Sequence, residues 1–221
     1  MDCASYLNRI LERLLPTHDI VRDYPADGQV VPAYARYESM NEKYVLSRKA
    51  TLWKAGEYEH VLFFTVPVLT APSELSGISR KAVPAQAVLA QDAPGASPSV
   101  TDRNTPAGTD HVSTAPATPD GLTALAQQLI RDYMEPVLAR NNEKYPPKDH
   151  MRTFLTAVII SEASPSAELI RLIRKYRFDR GYQFSFRGFS QGRLVFVDLG
   201  AGKVYTSPAA NDVAEFYRRI L

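Results

Sequence analysis

The pentapeptide Gly188-Phe189-Ser190-Gln191-Gly192 is the segment of this chain whose residue types and spacing could do chemistry most directly. A serine between glycines at this spacing is a nucleophile for acyl transfer when a strand precedes it and a helix follows it. Here residues 193–197 are strand-forming, and the chain has no histidine after His150 that could act as the base. We therefore expect residues 190–192 to form a hairpin turn between two strands.

Carboxylates offer a second chemistry, because Glu57, Glu59 and Glu162 stand in or beside strand-like stretches and could share a divalent cation. The predicted order of helix, three strands, helix and strand resembles the core of the PD-(D/E)xK nucleases, in which acids and a lysine hold Mg²⁺ beside a phosphate. Neither stretch has the lysine that this pattern requires two residues after the acid. A metal-dependent nuclease-like enzyme is therefore the alternative function. No Cys/His pair has ligand spacing, so we assign no metal site and no cofactor.

The strongest physical signal is a concentration of basic residues in the C-terminal third. Residues 151–221 carry eleven Lys and Arg against six Asp and Glu, whereas the rest of the chain carries fifteen against eighteen. The residues that we take as the candidate binding site are Arg171, Arg174, Lys175, Arg177, Arg180 and Arg187. Aromatic residues at 176, 178, 182, 184 and 186 lie between them, a mixture that suits phosphate groups and unpaired bases. The same pattern also fits the solvated face of an ordinary helix beside core aromatics.

From this basic edge we predict a non-enzymatic binding or interaction module. Its partner would be a protein or another anionic molecule, with nucleic acid less favoured because the net charge of the whole chain is only +2.

A long apolar-poor stretch divides the chain. No aromatic residue occurs between Phe64 and Tyr133, and residues 82–119 are mostly Ala, Pro, Ser, Thr and Gly. Such a stretch cannot offset its conformational entropy by burying side chains. We predict a first segment at residues 1–79, a disordered insertion at 80–118 and a second segment at 119–221. The two ordered segments together have about the size of one domain with one core.

The elements of the first segment follow from its periodicity. Apolar residues from Tyr6 to Leu15 recur at helical spacing, and Pro16 should end that helix. We predict strands at residues 33–38, 44–53 and 58–66, with turns at 41–42 and 55–57. Residues 61–66 of the last strand are nearly all apolar, so this strand should lie centrally in a sheet.

The second segment should place the basic residues on a helix and the strands after it. Thr118-Pro119-Asp120 begins one helix, which Pro136 should kink or end, and Ser164-Pro165 begins the basic one. We predict strands at residues 153–160, 183–189, 193–199 and 204–206, a glycine turn at 200–203, and a last helix capped by Asn211. The predicted fold class is α+β, with one mixed, largely antiparallel sheet and flanking helices, assembled from two segments around a disordered insertion.

Three stretches together resemble an uncharacterised bacterial family, a domain of unknown function. They are residues 40–50, residues 158–162, and Gly188 with residues 192–199. The resemblance implies one domain assembled from both halves, and it brings no activity, cofactor or substrate. The first residues lack the features of a signal peptide, no apolar run is long enough to span a membrane, and Cys3 is the only cysteine. We therefore expect a soluble cytoplasmic protein with no membrane partner.

Overall fold

One mixed sheet joins both halves of the chain in the computed structural model, which describes residues 1–26, 29–44, 51–67, 118–139, 149–182 and 188–221. The strands are β1 (Asp19–Ala26), β2 (Gln29–Tyr44), β3 (Thr51–Val66), β4 (His150–Ser161), β5 (Phe178–Gly181), β6 (Phe189–Asp198) and β7 (Lys203–Thr206). The helices are α1 (Cys3–Leu14), α2 (Pro119–Gln128), a π-helical segment (Leu129–Met134), α3 (Glu135–Leu138), α4 (Ala167–Lys175), a 3-10 turn (Pro208–Ala210) and α5 (Ala214–Arg218).

The strand order is β1-β2-β3-β4-β6, and both β5 and β7 pair with β6 beyond it. β5 pairs with residues 189–192 of β6, and β7 pairs with residues 195–198. The two central pairings, β3 with β4 and β4 with β6, are parallel, and the other four are antiparallel. This confirms the predicted α+β class with a mixed, largely antiparallel sheet that both segments build.

Helices α1 and α5 cover one face of the sheet. The Asp2 carboxylate caps α1 by accepting a hydrogen bond from the Ser5 amide at 2.7 Å. The Tyr6 hydroxyl donates to the Tyr217 carbonyl oxygen at 2.8 Å and ties the two helices together. The residues buried in this layer include Tyr6, Leu7, Ile10, Leu11, Phe63, Val158, Val195, Tyr217 and Ile220. The predicted first helix is confirmed, and it ends two residues before Pro16.

The helical run from α2 to α3 packs on the opposite face together with α4. Thr118 caps α2 by accepting from the Gly121 amide at 3.1 Å, as the sequence predicts. The run does not end at Pro136 but changes to a π-helix just before it. This widened segment adds one residue to a turn, so Met134 and Leu138 are buried, whereas Tyr133 and Val137, which continue the helical spacing from Leu129, are half-buried.

The first three strands differ from their prediction. β1 was not predicted, and β2 and β3 run straight through the predicted turns at residues 41–42 and 55–57. The predicted strand at 44–53 is wrong, because Tyr44 ends β2 and Thr51 begins β3; residues 45–50 lie outside the described part of the chain. Gly56, which suggested a turn, marks a shift of register against β4 instead. Residues 58–66 lie centrally, as predicted.

The predicted cap of the last helix is wrong. Asn211 does not cap the last helix; it follows the 3-10 turn, and its side-chain oxygen accepts from the Thr206 hydroxyl at 2.8 Å. The predicted strand at 183–189 lies largely outside the described residues, and β5 precedes it. Of the predicted insertion at residues 80–118, the structure describes Thr118 alone, so its bounds stay a prediction.

Candidate functional site

The serine of the Gly188–Gly192 segment is a buried strand residue, so the predicted hairpin turn at residues 190–192 is wrong. Phe189 begins β6, and Ser190 lies inside that strand with 1% of its surface exposed. Its hydroxyl shares a hydrogen bond of 2.9 Å with the hydroxyl of Tyr182. The His150 ring bonds the Thr153 hydroxyl through Nε2 at 2.8 Å. Ser190 is followed by the rest of β6 and not by a helix, so the segment lacks the geometry of a nucleophile for acyl transfer.

Close packing explains why glycine stands at both ends of this segment. Gly188 has a φ of 76°, and a Cβ placed there would collide with the backbone carbonyl of Met151 on β4. A Cβ on Gly192 would collide with the Tyr176 hydroxyl and lie 2.8 Å from a methyl group of Leu138. The spacing that resembles a catalytic motif therefore comes from close packing around the start of β6.

Two of the three candidate carboxylates form ion pairs across the sheet. Glu57 on β3 contacts Arg152 on β4, with Oε2 and Nη2 2.7 Å apart. Glu59 contacts Arg193 on β6, with Oε1 and Nη1 3.4 Å apart. Each carboxylate thus faces a guanidinium, an arrangement that balances charge without a metal ion.

Glu162 lies far from that pair. It follows the end of β4, where its amide donates to the Val66 carbonyl at 3.4 Å and its carboxylate accepts from the Cys3 amide at 3.1 Å. Val66 stands nine residues after Glu57 on the same strand, which is about 30 Å along a sheet. The three carboxylates do not converge, so they give no support to the metal site that the nuclease-like alternative requires. Among the residues described, no group of three His, Cys, Asp or Glu side chains is arranged to hold a metal ion.

Arg193 lies on the face of the sheet that α1 and α5 cover, and the sequence marks it only as a member of the stretch 192–199 that resembles the family. Its side chain is 6% exposed, its Nη2 lies 2.7 Å from Asp212 Oδ2, and its guanidinium lies 3.7 Å from the centre of the Phe154 ring. Its Nε and the neighbouring Thr156 hydroxyl are buried without a hydrogen-bond partner among the described residues. Arg193 thus joins β6 to the segment that leads into α5. No local pattern predicts its contacts, because Glu59 and Asp212 are distant along the chain.

The predicted basic helix is present and presents its cations to solvent. Ser166 caps α4 by accepting from the Leu169 amide at 3.0 Å. Leu169 and Ile173 are fully buried, so Arg171, Arg174 and Lys175 lie on the exposed face; Arg177, just after the helix, is exposed as well. Within the described part of the chain, none of these four side chains forms an ion pair. This surface, residues 171, 174, 175 and 177, is called the basic face below.

The remaining two candidate residues do not belong to the basic face. Arg180 is half-buried: its Nη1 donates to the Ala139 carbonyl at 2.7 Å, and its guanidinium lies 5.6 Å from the centre of the Tyr182 ring. These contacts fasten β5 to the end of α3. Arg187 lies outside the described residues.

A surface groove of about 290 Å³ continues from the basic face along the edge of the sheet. Arg174 of α4 and Arg218 of α5 both line it. Arg218 is 3.7 Å from Glu215, but both side chains are more than half exposed, so solvent screens that pair. The other lining residues are Val204, Tyr205, Thr206, Pro208 and Asn211. The sequence did not single out Arg218, because three strands separate it from α4 along the chain.

These elements define a three-layer α+β domain, a mixed sheet between two layers of helices with a basic face at one edge. The chain belongs to the family described as Domain of unknown function (DUF8052), whose model matches residues 2–76 and 112–219. This confirms the predicted resemblance and the assembly of one domain from two segments. No curated protein and no solved structure matches the chain significantly. Of the helices described, none is both long and apolar enough to cross a membrane.

Proposed function

We propose that this domain is a binding module that recognises an acidic protein partner through the basic face. The observation that carries the proposal is the set of four exposed cations, within seven residues of chain, that no acidic side chain in the described residues neutralises. Two of them lie in the last turn of α4, where they also complement the helix dipole. A purely structural role would need only that last-turn charge, whereas Arg171 and Arg177 lie outside it.

An acidic protein is favoured over a nucleic acid by the charge of the whole chain. The net charge is only +2, and the chain outside residues 151–221 has more acidic than basic residues. A nucleic acid that extends beyond the basic face would meet those acids, whereas a protein can place a small acidic patch on the basic face alone. Complementary charge of this kind mainly sets orientation and the rate of association.

The proposal is tested by reversing charge on the basic face and on a matched helix elsewhere. The test variant is Arg171→Glu with Arg174→Glu, and the control is Arg9→Glu with Arg13→Glu, a pair on the exposed side of α1. Binding of a fluorescent glutamate-rich peptide and of a single-stranded oligonucleotide is followed by anisotropy. We expect the test variant to weaken peptide binding about tenfold, which is about 1.4 kcal/mol, and the control to leave it nearly unchanged.

Salt supplies the second measurement. Binding of the peptide should weaken between about 50 and 200 mM salt, because exposed charges are screened over about 10 Å. Equal peptide binding by the test and control variants would overturn the proposal. Much tighter binding of the oligonucleotide than of the peptide, lost in the test variant, would replace the protein partner with a nucleic acid.

A further inference from the structure

Strand β7 is an edge strand, and three of its four residues line the groove. It pairs with β6 on one side, and among the described strands it has no neighbour on the other. An edge strand carries backbone N–H and C=O groups that another extended segment can pair with. β7 spans Lys203–Thr206, so it could hold three or four residues of such a segment.

The two faces of the groove carry one arginine each. Tyr205 packs against the core layer that contains α4, with its ring 6.5 Å from that of Phe196, whereas Val204 packs against the layer that contains α5. Arg174 therefore borders the Tyr205 side of β7, and Arg218 borders the Val204 side. Successive side chains of any strand that adds to β7 would also point alternately to these two sides.

We propose that an extended acidic segment of the partner adds to β7 as a further strand and directs two adjacent acidic side chains to Arg174 and Arg218. This inference rests on the proposed function and names the mode of recognition. Backbone pairing supplies affinity, while the two arginines select the acids. Because adjacent residues of a strand face opposite sides, acids at positions i and i+1 reach both arginines, whereas acids at i and i+2 reach one.

Charge decides between this occupant and a second copy of the chain. Pairing β7 with β7 of another molecule would bring two sets of Arg174 and Arg218 together along one edge, beside Lys203 of each copy. Like charges placed opposite each other across strands are destabilising. An acidic segment neutralises the same side chains, so the groove is better suited to it.

The test uses peptides of one composition and net charge on the full chain. One peptide has its two acids adjacent, and a second has them two residues apart. Two further versions of the first carry N-methyl groups on every second amide, one on the odd-numbered amides and the other on the even-numbered amides. We expect the adjacent-acid peptide to bind about tenfold more tightly than the separated one. One N-methyl register should abolish binding by blocking the amides that face β7, and the other should preserve it.

Variants test the placement of each acid. The Arg174→Glu variant should no longer bind the adjacent-acid peptide, but it should bind a peptide in which Lys replaces one of the two acids. The Arg218→Glu variant should instead bind the peptide in which Lys replaces the other acid. The control is Arg219→Glu, a neighbouring residue that is 72% exposed and contacts Glu215. Hydrogen exchange gives a separate readout. The amides of Val204 and Thr206 face away from β6 and should become protected when the peptide binds, whereas the Tyr205 amide already faces β6.

The outcomes separate this inference from the proposed function. Suppose that both acid spacings and both N-methyl registers bind equally, and that the double variant Arg171→Glu with Arg174→Glu binds none of these peptides. This result would overturn strand addition but would still support an acidic partner. If binding depends on the N-methyl register but is unchanged by Arg174→Glu and by Arg218→Glu, the proposal of an acidic partner is overturned. If none of these peptides binds, strand addition is overturned.

Discussion

At the scale of single residues, the structure predicts that Gly188 matters more than Ser190 in the segment around this serine. In a catalytic motif the serine would be the residue whose substitution has the largest effect. Ser190→Ala removes one hydrogen bond to Tyr182 and should lower the free energy of unfolding by about 1 kcal/mol. Gly188→Ala should cost at least about 3 kcal/mol, because it adds both a strained φ and a collision with the Met151 carbonyl. Urea unfolding of the three proteins measures both differences.

Gly202→Ala is the matched control for that comparison. Gly202 also has a positive φ, of 62°, but a Cβ there would have no atom within 4 Å. Its substitution should therefore cost only the backbone strain, about 1–2 kcal/mol. A labelling reagent for activated serines that modifies the wild type but not Ser190→Ala would contradict the structural role of Ser190.

Buried phenols predict a loss of stability at alkaline pH. Burial raises the pKa of Tyr6, Tyr176 and Tyr217 above the ordinary value of 10.0, and the nearby Glu59 adds to the effect at Tyr217. The unfolded chain releases these protons near pH 10, whereas the folded chain keeps them. The stability that these groups confer is therefore fully present below pH 10 and is lost as pH rises toward the folded pKa values, by about 1.4 kcal/mol per pH unit for each phenol.

Urea unfolding from about pH 8 to pH 11 measures this slope. Tyr217→Phe removes one of these phenols, so it should reduce the slope of the unfolding free energy against pH by about 1.4 kcal/mol per pH unit, whatever its effect on stability at neutral pH. An equal slope in the wild type and the variant would show that this phenol ionises alike in both states.

Local pattern could not predict the surroundings of single residues. The basic residues of α4 were predicted because helical period and burial of Leu169 and Ile173 decide which side is exposed. Arg193 depends on Glu59, which is 134 positions away, and Gly188 depends on a carbonyl of another strand. Such contacts exist only after the sheet has formed, so no window of sequence contains them.

At the scale of elements, the π-helical segment sets which side of α3 is buried. The Glu135 amide donates to the Ile130 carbonyl five residues before it, and this spacing brings Met134 and Leu138 into the core. Deleting Asp132, an exposed residue, should restore α-helical spacing and rotate the following residues by about 100°. We expect a loss of several kcal/mol, about that of removing two core side chains, measured by thermal or urea unfolding.

Asp132→Ala is the control, because it removes the same side chain and its contact with Arg131 without changing the spacing. It should cost less than about 1 kcal/mol. Equal stabilities of the deletion and the substitution would mean that the spacing does not hold Met134 and Leu138 in place.

Elements were predictable where burial is one-sided or complete. The stretches at residues 58–66 and 153–160 and helix α1 have clear apolar patterns, and their predictions are confirmed. β1 escaped prediction because it is an edge strand with four of its eight residues exposed, including Asp23 at a φ of 49°. β2 and β3 were cut short because Asn41 and Gly56 favour turns locally, whereas antiparallel pairing with the neighbouring strand keeps both extended.

At the scale of the whole molecule, the predicted insertion should be dispensable for folding. Replacing residues 82–116 with a short Gly/Ser linker that still spans the junction should change the free energy of unfolding by less than about 1 kcal/mol, because loop-closure entropy varies slowly with length. Urea unfolding of the shortened and full chains measures the difference. Loss of cooperative unfolding in the shortened chain would show that the replaced residues contribute packing.

The parallel pairing of β3 with β4 also affects how the chain is made. Paired residues such as Glu57 and Arg152 are 95 positions apart, and β3 carries the fully buried Leu62 and Phe63. Synthesis adds about 5–20 residues per second, so β3 leaves the ribosome about 5–20 s before its partner strand exists. During that interval the nascent chain exposes an apolar strand edge. The speed of translation, rather than the stability of the finished domain, therefore sets how long each new molecule is open to aggregation.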